Sequence, residues 1–158
     1  MAEKESFANE EYKKAAEKAM SLLLVQDRTE KGLLERLEKE GFTSEACCFA
    51  LEYVKAYGYL DDRRFVKNYI EYRKGTKSRK ELRYKLLQKG AQSDVIDEIL
   101  SEYGKEEEEQ ALRIQLDKKR KGKSIENMDY KEKQKIMVYL ARKGFETATI
   151  RRMIEERN

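Results

Sequence analysis

Tyr57-Gly58-Tyr59-Leu60-Asp61-Asp62-Arg63-Arg64-Phe65 reads as a junction between two helices. Gly58 suits the position just past a helix end, where a left-handed backbone costs a residue without Cβ almost nothing. Asp61 is a good N-cap, because its short carboxylate can accept the free N–H groups of the helix that follows. With Asp61 as the cap, Leu60 precedes it and Phe65 falls four positions into the helix, the spacing of a hydrophobic staple. Arg63 and Arg64 open a run of cations. The stretch therefore sets the angle between two helical blocks and marks where the surface turns basic.

Working outward, the same kind of boundary recurs. Gly41, Gly90 and Gly144 each close a cation-bearing helix, with spacings of 49 and 54 residues. Four residues before each stands Leu37, Leu86 or Leu140, and eight before stands Leu33, Leu82 or Ile136, one apolar stripe at helical spacing. Three residues after each glycine comes Ser44, Ser93 or Thr147, a cap or first-turn residue. Cys47, Ile96 and Ile150 follow on the inner face, then Leu51, Leu100 and Ile154. The expected fold is all-α, an elongated, curved tandem array of three three-helix repeats, about nine helices in all. The repeats are read as 1–58, 59–104 and 105–158. Their helices are expected near 9–25, 28–40 and 43–57; 61–74, 78–89 and 93–103; and 105–120, 129–143 and 146–157. Ala16, Ala19, Met20, Leu23 and Leu24 form the apolar face of the first. Ser78-Arg79-Lys80-Glu81 has capping-box spacing. Phe65, Tyr69 and Tyr72 form an aromatic stripe read as core, and a buried Phe65 would lose about 3–5 kcal/mol on change to alanine. The segment 121–128 is the one expected flexible loop.

Composition agrees with thin helical units. Of 158 residues, 42% are charged, 39% are hydrophobic and none is proline. The net charge of +4 is unevenly spread. Residues 1–60 hold nine Lys and Arg against twelve Asp and Glu, whereas residues 63–89 hold eleven against two. Such a local excess attracts a polyanion or an acidic protein face, or is simply a solvated helical surface. Cys47 and Cys48 are adjacent, which excludes a disulfide framework and fits Cys47 as a small core residue. No apolar run reaches the roughly 20 residues of a membrane span and no apolar signal segment opens the chain, so a soluble, cytoplasmic protein without membrane contact is expected.

Histidine is absent, and with it the commonest general base and metal ligand. No phosphate-cradling glycine loop, nucleophile elbow or C-x-x-C pair occurs. Asp61 and Asp62 read as caps rather than a catalytic dyad, so an enzyme, a cofactor or a metal is not expected. What remains is a basic surface with interleaved tyrosines. Lys74, Lys77, Arg79, Lys80, Arg83 and Lys85 cluster around the second repeat's middle helix, with Tyr84 placed to stack on a base or a partner side chain. Lys119, Arg120, Arg142, Lys143, Arg151 and Arg152 extend the theme. Changing Lys77, Arg79, Lys80 and Arg83 together to alanine is expected to weaken partner binding with helix content intact. A base-reading set of Asn, Gln and Arg at a helix start is not evident, which disfavours sequence-specific DNA control.

The junction, of the form G-Y-L/I-(D/N)-D-x-x-(F/Y), is followed by Ser78-Arg79-Lys80-Glu81-Leu82-Arg83-Tyr84-Lys85-Leu86-Leu87-Gln88-Lys89-Gly90. Together they resemble the RecX family of recombinase regulators, and the resemblance extends over roughly residues 10–157. It implies tandem three-helix repeats, no catalytic activity, and a monomer that binds the RecA recombinase filament on single-stranded DNA. The implied outcome is modulation, usually inhibition, of ATPase, strand exchange and coprotease activities in DNA repair and the SOS response. Gly58, Tyr59, Leu60, Asp61, Asp62 and Phe65 match the family's junction and are expected to be architectural. A direct nucleic-acid binder that needs no recombinase, or a helical adaptor for another protein, are the competing expectations.

Overall fold

In the computed structural model, which describes the backbone of residues 2–155 and the side chains of residues 9–155, every regular element is helical. Nine α-helices occur among the described residues: α1 Ala2–Val25, α2 Glu30–Lys39, α3 Ser44–Ala56, α4 Asp62–Arg73, α5 Arg79–Gln88, α6 Ser93–Leu100, α7 Lys105–Arg120, α8 Tyr130–Arg142 and α9 Thr147–Glu155. They group in threes, as tandem three-helix repeats. The first helix begins upstream of residue 9, and the expected end of the last one at 157 lies outside the described residues.

The apolar stripe of the repeats is buried at every aligned position. Leu33 and Leu37, Leu82 and Leu86, and Ile136 and Leu140 point inward from α2, α5 and α8, as do Cys47, Ile96 and Ile150 from α3, α6 and α9. Burial also pushes the Cys47 thiol pKa up, as for a packed rather than reactive cysteine. The helix starts are capped by short polar side chains: Thr29 Oγ1 accepts from Gly32 N–H at 3.0 Å, Thr43 Oγ1 from Ala46 N–H at 3.2 Å, and Asp129 with Glu132 forms a full capping box. At Ser78 only half of that motif forms. Its Oγ accepts from Glu81 N–H at 3.1 Å, while the Glu81 carboxylate pairs with Lys77 at 3.6 Å.

Two compact units divide the chain, residues up to 67 with 87–92, and residues 68–86 with everything from 93 onward. The first unit is built on α1, α2 and α3. Its core holds Ala15, Ala19, Leu22, Leu33, Leu37, Ala46, Cys47, Ala50, Val54 and Leu60. The second is centred on α7, α8 and α9, around Leu112, Leu116, Leu140, Phe145, Ile150 and Ile154.

Three expectations need correcting. Leu24 is 81% exposed: of the expected α1 face, Ala16 and Ala19 are buried and Met20 and Leu23 pack against the core, but Ala15 and Leu22, not Leu24, complete it. On α4 the buried residues are Val66 and Ile70, Phe65 and Tyr69 are half-buried, and Tyr72 is 86% exposed. The cost of a fully buried phenylalanine therefore does not apply to Phe65. The loop after α7 is pinned rather than free: Lys121 takes a left-handed conformation with φ 53°, a 3₁₀ turn spans Ile125–Asn127, and Ile125 and Met128 enter the second unit's core.

Tyr103 was expected to end a helix and instead folds back beyond it. Its buried Oη is within hydrogen-bond reach of the Lys74 and Lys77 carbonyls, at 2.9 Å from the latter, and donates its single proton between them. Tyr103→Phe should cost about 1–2 kcal/mol, since two carbonyls lose their donor; an unchanged urea midpoint would show that water replaces it. Desolvation, with Glu108 and Glu107 nearby, raises the phenol pKa above its ordinary 10.0. The neutral phenol's contribution is thus fully present below pH 10 and is lost as pH rises through the raised folded value.

Candidate partner-binding cleft

The N-terminus of α5 is tied to the C-terminus of α8 by one buried hydroxyl. Ser78 Oγ, wholly buried, donates to the Lys143 carbonyl at 2.5 Å while accepting from Glu81 N–H. Glu108 of α7 accepts from Arg79 N–H at 3.2 Å, covering another free donor of the same helix start. The first unit repeats this arrangement with different residues. Thr29 Oγ1 donates to the Lys89 carbonyl at 2.5 Å, and Asp62 Oδ1 accepts from Glu30 N–H at 2.8 Å. Burial is the largest influence on Asp62 and raises its carboxyl pKa, against the lowering effect of that hydrogen bond. The middle helices α2 and α5 are thus each clasped, at the start, to the end of the next middle helix.

In the second unit this clasp shapes a cleft of about 630 Å³. From α5 come Lys80, Tyr84 and Lys85, with Lys80 and Tyr84 one turn apart; from the end of α8 come Tyr139, Arg142 and Lys143. The C-terminus of α8 carries the negative end of its helix dipole, which favours the two cations there. Lys143 Nζ lies 5.6 Å from the Tyr139 ring centre, and Lys119 Nζ, from the end of α7, lies 4.0 Å from it. Those are cation–π distances. The cleft is therefore a basic hollow with two tyrosine rings in its wall. Glu81 also lines it, but its charge is met by Lys77.

The structure sorts the twelve cations expected to bind a partner. Lys74 pairs with Glu71 at 3.2 Å and Glu107 at 3.7 Å, which raises its pKa, the Glu71 hydrogen bond most of all. Arg79 donates to the Leu100 carbonyl at 3.2 Å, and Arg83 holds Asp97 at 2.8 Å. The hydrogen bond between them lowers the Asp97 pKa and raises that of Arg83. Lys77 is on Glu81, Arg120 on Asp117 at 2.5 Å, and Arg152 on Glu109. Arg151 is exposed on α9, away from the cleft lining. Lys80, Lys85, Arg142 and Lys143 converge on the cleft without an ion pair among the described residues, and Lys119 flanks them. Replacing Lys77, Arg79 and Arg83 would thus remove internal bonds as well as surface charge, so the variant set expected from sequence is the wrong probe.

The junction residues sit elsewhere, in the first unit. Gly58 has φ 75°, Leu60 is buried in the core, and Asp61 Oδ1 accepts from Arg64 N–H at 3.1 Å. Arg64, read from sequence as the start of a cation run, reaches back instead. Its guanidinium donates to the Gly58 and Tyr59 carbonyls at 2.9 and 3.2 Å, closing the turn. No sequence signal marked that role.

Comparison with known proteins follows the same division into repeats. Residues 61–100 match the family model for the RecX second three-helix domain, and residues 106–154 match that for the RecX third three-helix domain. A regulatory protein RecX of Chlorobium phaeobacteroides is 30% identical over 155 residues, covering 94% of this chain and 97% of that one. The chain belongs to the RecX family. A second RecX relative, from Clostridium botulinum, is 32% identical over 130 residues, which span 82% of this chain but 61% of that protein's length. The crystal structure of RecX from Lactobacillus salivarius superimposes with a TM-score of 0.79 over 94% of this chain and 97% of that one, at 19% identity, a likeness of fold. The cleft takes α5 from the second RecX domain and α8 from the third. Among the described residues, no helix is long and apolar enough to cross a membrane.

Proposed function

We propose that the chain is a non-catalytic regulator of a RecA-type recombinase, binding the filament on single-stranded DNA and lowering its ATPase, strand-exchange and coprotease activities. Family membership supports the regulatory role, and the observation that carries the binding mode is the cleft: four cations with no ion pair among the described residues, beside two tyrosines. A cleft of that make-up fits a surface of carboxylates or phosphates, both of which the nucleoprotein filament presents. The decisive experiment is ATP hydrolysis by RecA on single-stranded DNA with increasing amounts of this protein, alongside binding to RecA alone, to DNA alone and to the assembled filament. Inhibition with preference for the assembled filament is expected. No change in rate and no filament binding would overturn the proposal.

A second reading draws on the same cleft. Tyr84 is 60% exposed, so a base can stack on it while the cations hold the backbone, giving a nucleic-acid binder that needs no recombinase. Tight binding to bare DNA at physiological salt, unaffected by recombinase, would favour it.

A further inference from the structure

The first unit carries a different surface. Tyr12, Phe49, Tyr53, Tyr57 and Tyr59 form an unbroken ladder of rings, with centroid separations of 5.2, 6.2, 4.9 and 6.4 Å. Phe49 and Tyr53 stand one turn apart on α3, and Tyr57, which follows at the helix C-cap, is 63% exposed. Beside the ladder runs an open groove of about 490 Å³, floored by Tyr12, Ala16, Met20, Leu24, Phe49 and Tyr53. Met20 and Leu24 carry it into a smaller hollow that reaches Gly58 and Tyr59. Leu24, which lines both, stands at 81% exposure, so the groove presents an apolar surface of the kind that marks a binding site.

We propose that this face receives an amphipathic helix of a partner protein, one bearing an apolar stripe flanked by lysine or arginine. Length and charge select that occupant. Along α1 the groove lining runs from Asn9 to Leu24, about 22 Å, which matches a helix of about four turns laid alongside. Glu17 and Lys13 in the lining offset each other, and the exposed charges beside them along the two helices are Glu10 on α1 and Glu45 and Glu52 on α3, each about one turn from Phe49, against Lys14. A nucleic acid would meet those carboxylates with its phosphates, lacking the cations that normally track its backbone. A second copy of the same face would set acid against acid.

Two helical peptides of about sixteen residues with one leucine stripe and a single tryptophan test the idea, one filled with lysine and its twin with glutamate. The chain has no tryptophan, so fluorescence anisotropy reports the peptide alone. The lysine peptide should bind at least about 10-fold tighter than its twin, although the chain's net charge of +4 would favour the glutamate peptide in any non-specific attraction. Leu24→Glu and Tyr57→Ser, both at exposed positions, should each weaken it several-fold with the circular dichroism unchanged. Equal affinity for the two peptides, no binding of either, or indifference to both variants would overturn the proposal. So would oligothymidylate binding, or self-association, that Leu24→Glu abolishes.

Discussion

Exchanging Lys80, Lys85, Arg142 and Lys143 together for alanine should weaken binding to the recombinase filament on the order of 100-fold while leaving helix content and unfolding midpoint close to unchanged. About 0.7 kcal/mol from each exposed cation is half the low end for a charge-assisted hydrogen bond. Four of them give about 3 kcal/mol, or two orders of magnitude. The fold should survive because what these residues give the structure is backbone: alanine keeps the Lys143 carbonyl that Ser78 holds and the Lys80 Cβ that packs by Gly144. Lys77, Arg79 and Arg83 serve as the contrast, since their side chains are already bonded to Glu81, the Leu100 carbonyl and Asp97. If phosphates are what the cleft binds, the quadruple variant should also flatten the dependence of log affinity on log salt by about 3, at roughly 0.7 per phosphate contact on a single strand. An acidic protein face would show a shallower change. Binding within about 2-fold of the parent would mean that the cleft is only a solvated hollow.

Gly144→Ala should cost about 3–5 kcal/mol, roughly two to three times the loss from Gly41→Ala. The two glycines close equivalent helices with the same φ of 93°, so the backbone strain of an added Cβ, about 1–2 kcal/mol, is common to both. Their surroundings differ. Nothing lies within 4 Å of a Cβ built on Gly41, whereas one on Gly144 would stand 2.6 Å from Ser78 Oγ and 2.9 Å from Lys80 Cβ. Relieving that overlap means moving α5 away from α8, which adds about 1–3 kcal/mol of overpacking and weakens the buried Ser78 hydrogen bond. Chemical denaturation of both variants decides it. Equal losses would show that the clasp can open without cost, and then the cleft it shapes would not be a fixed site.

These cases show how far the residues could be read unaided. Leu33, Leu37 and their counterparts were legible because a helical stripe is a local pattern, and burial of one face follows from its period. The phase of α4 and the C-terminal end of the α1 face were not. Tyr72 and Leu24 look like core residues by size and spacing, yet neighbouring elements cover Val66, Ile70 and Leu22 instead. The cation count of 63–89 was plain in the sequence, but its meaning was hidden by distance along the chain. Arg79 finds Leu100, Arg83 finds Asp97 and Lys74 finds Glu107, partners that no nearby spacing announces.

By itself, then, the sequence determined the helices, their grouping in threes, the junction at Gly58 and Asp61, and membership of a family, because each depends on short-range periodicity, caps and turns. Only the tertiary structure decided which cations are spent on internal pairs and which four converge on a cleft, and that an aromatic ladder on the first unit stays partly exposed among the described residues. Those outcomes depend on which surfaces the packed helices bring within a few ångströms, and that proximity is fixed by folding rather than by spacing along the chain.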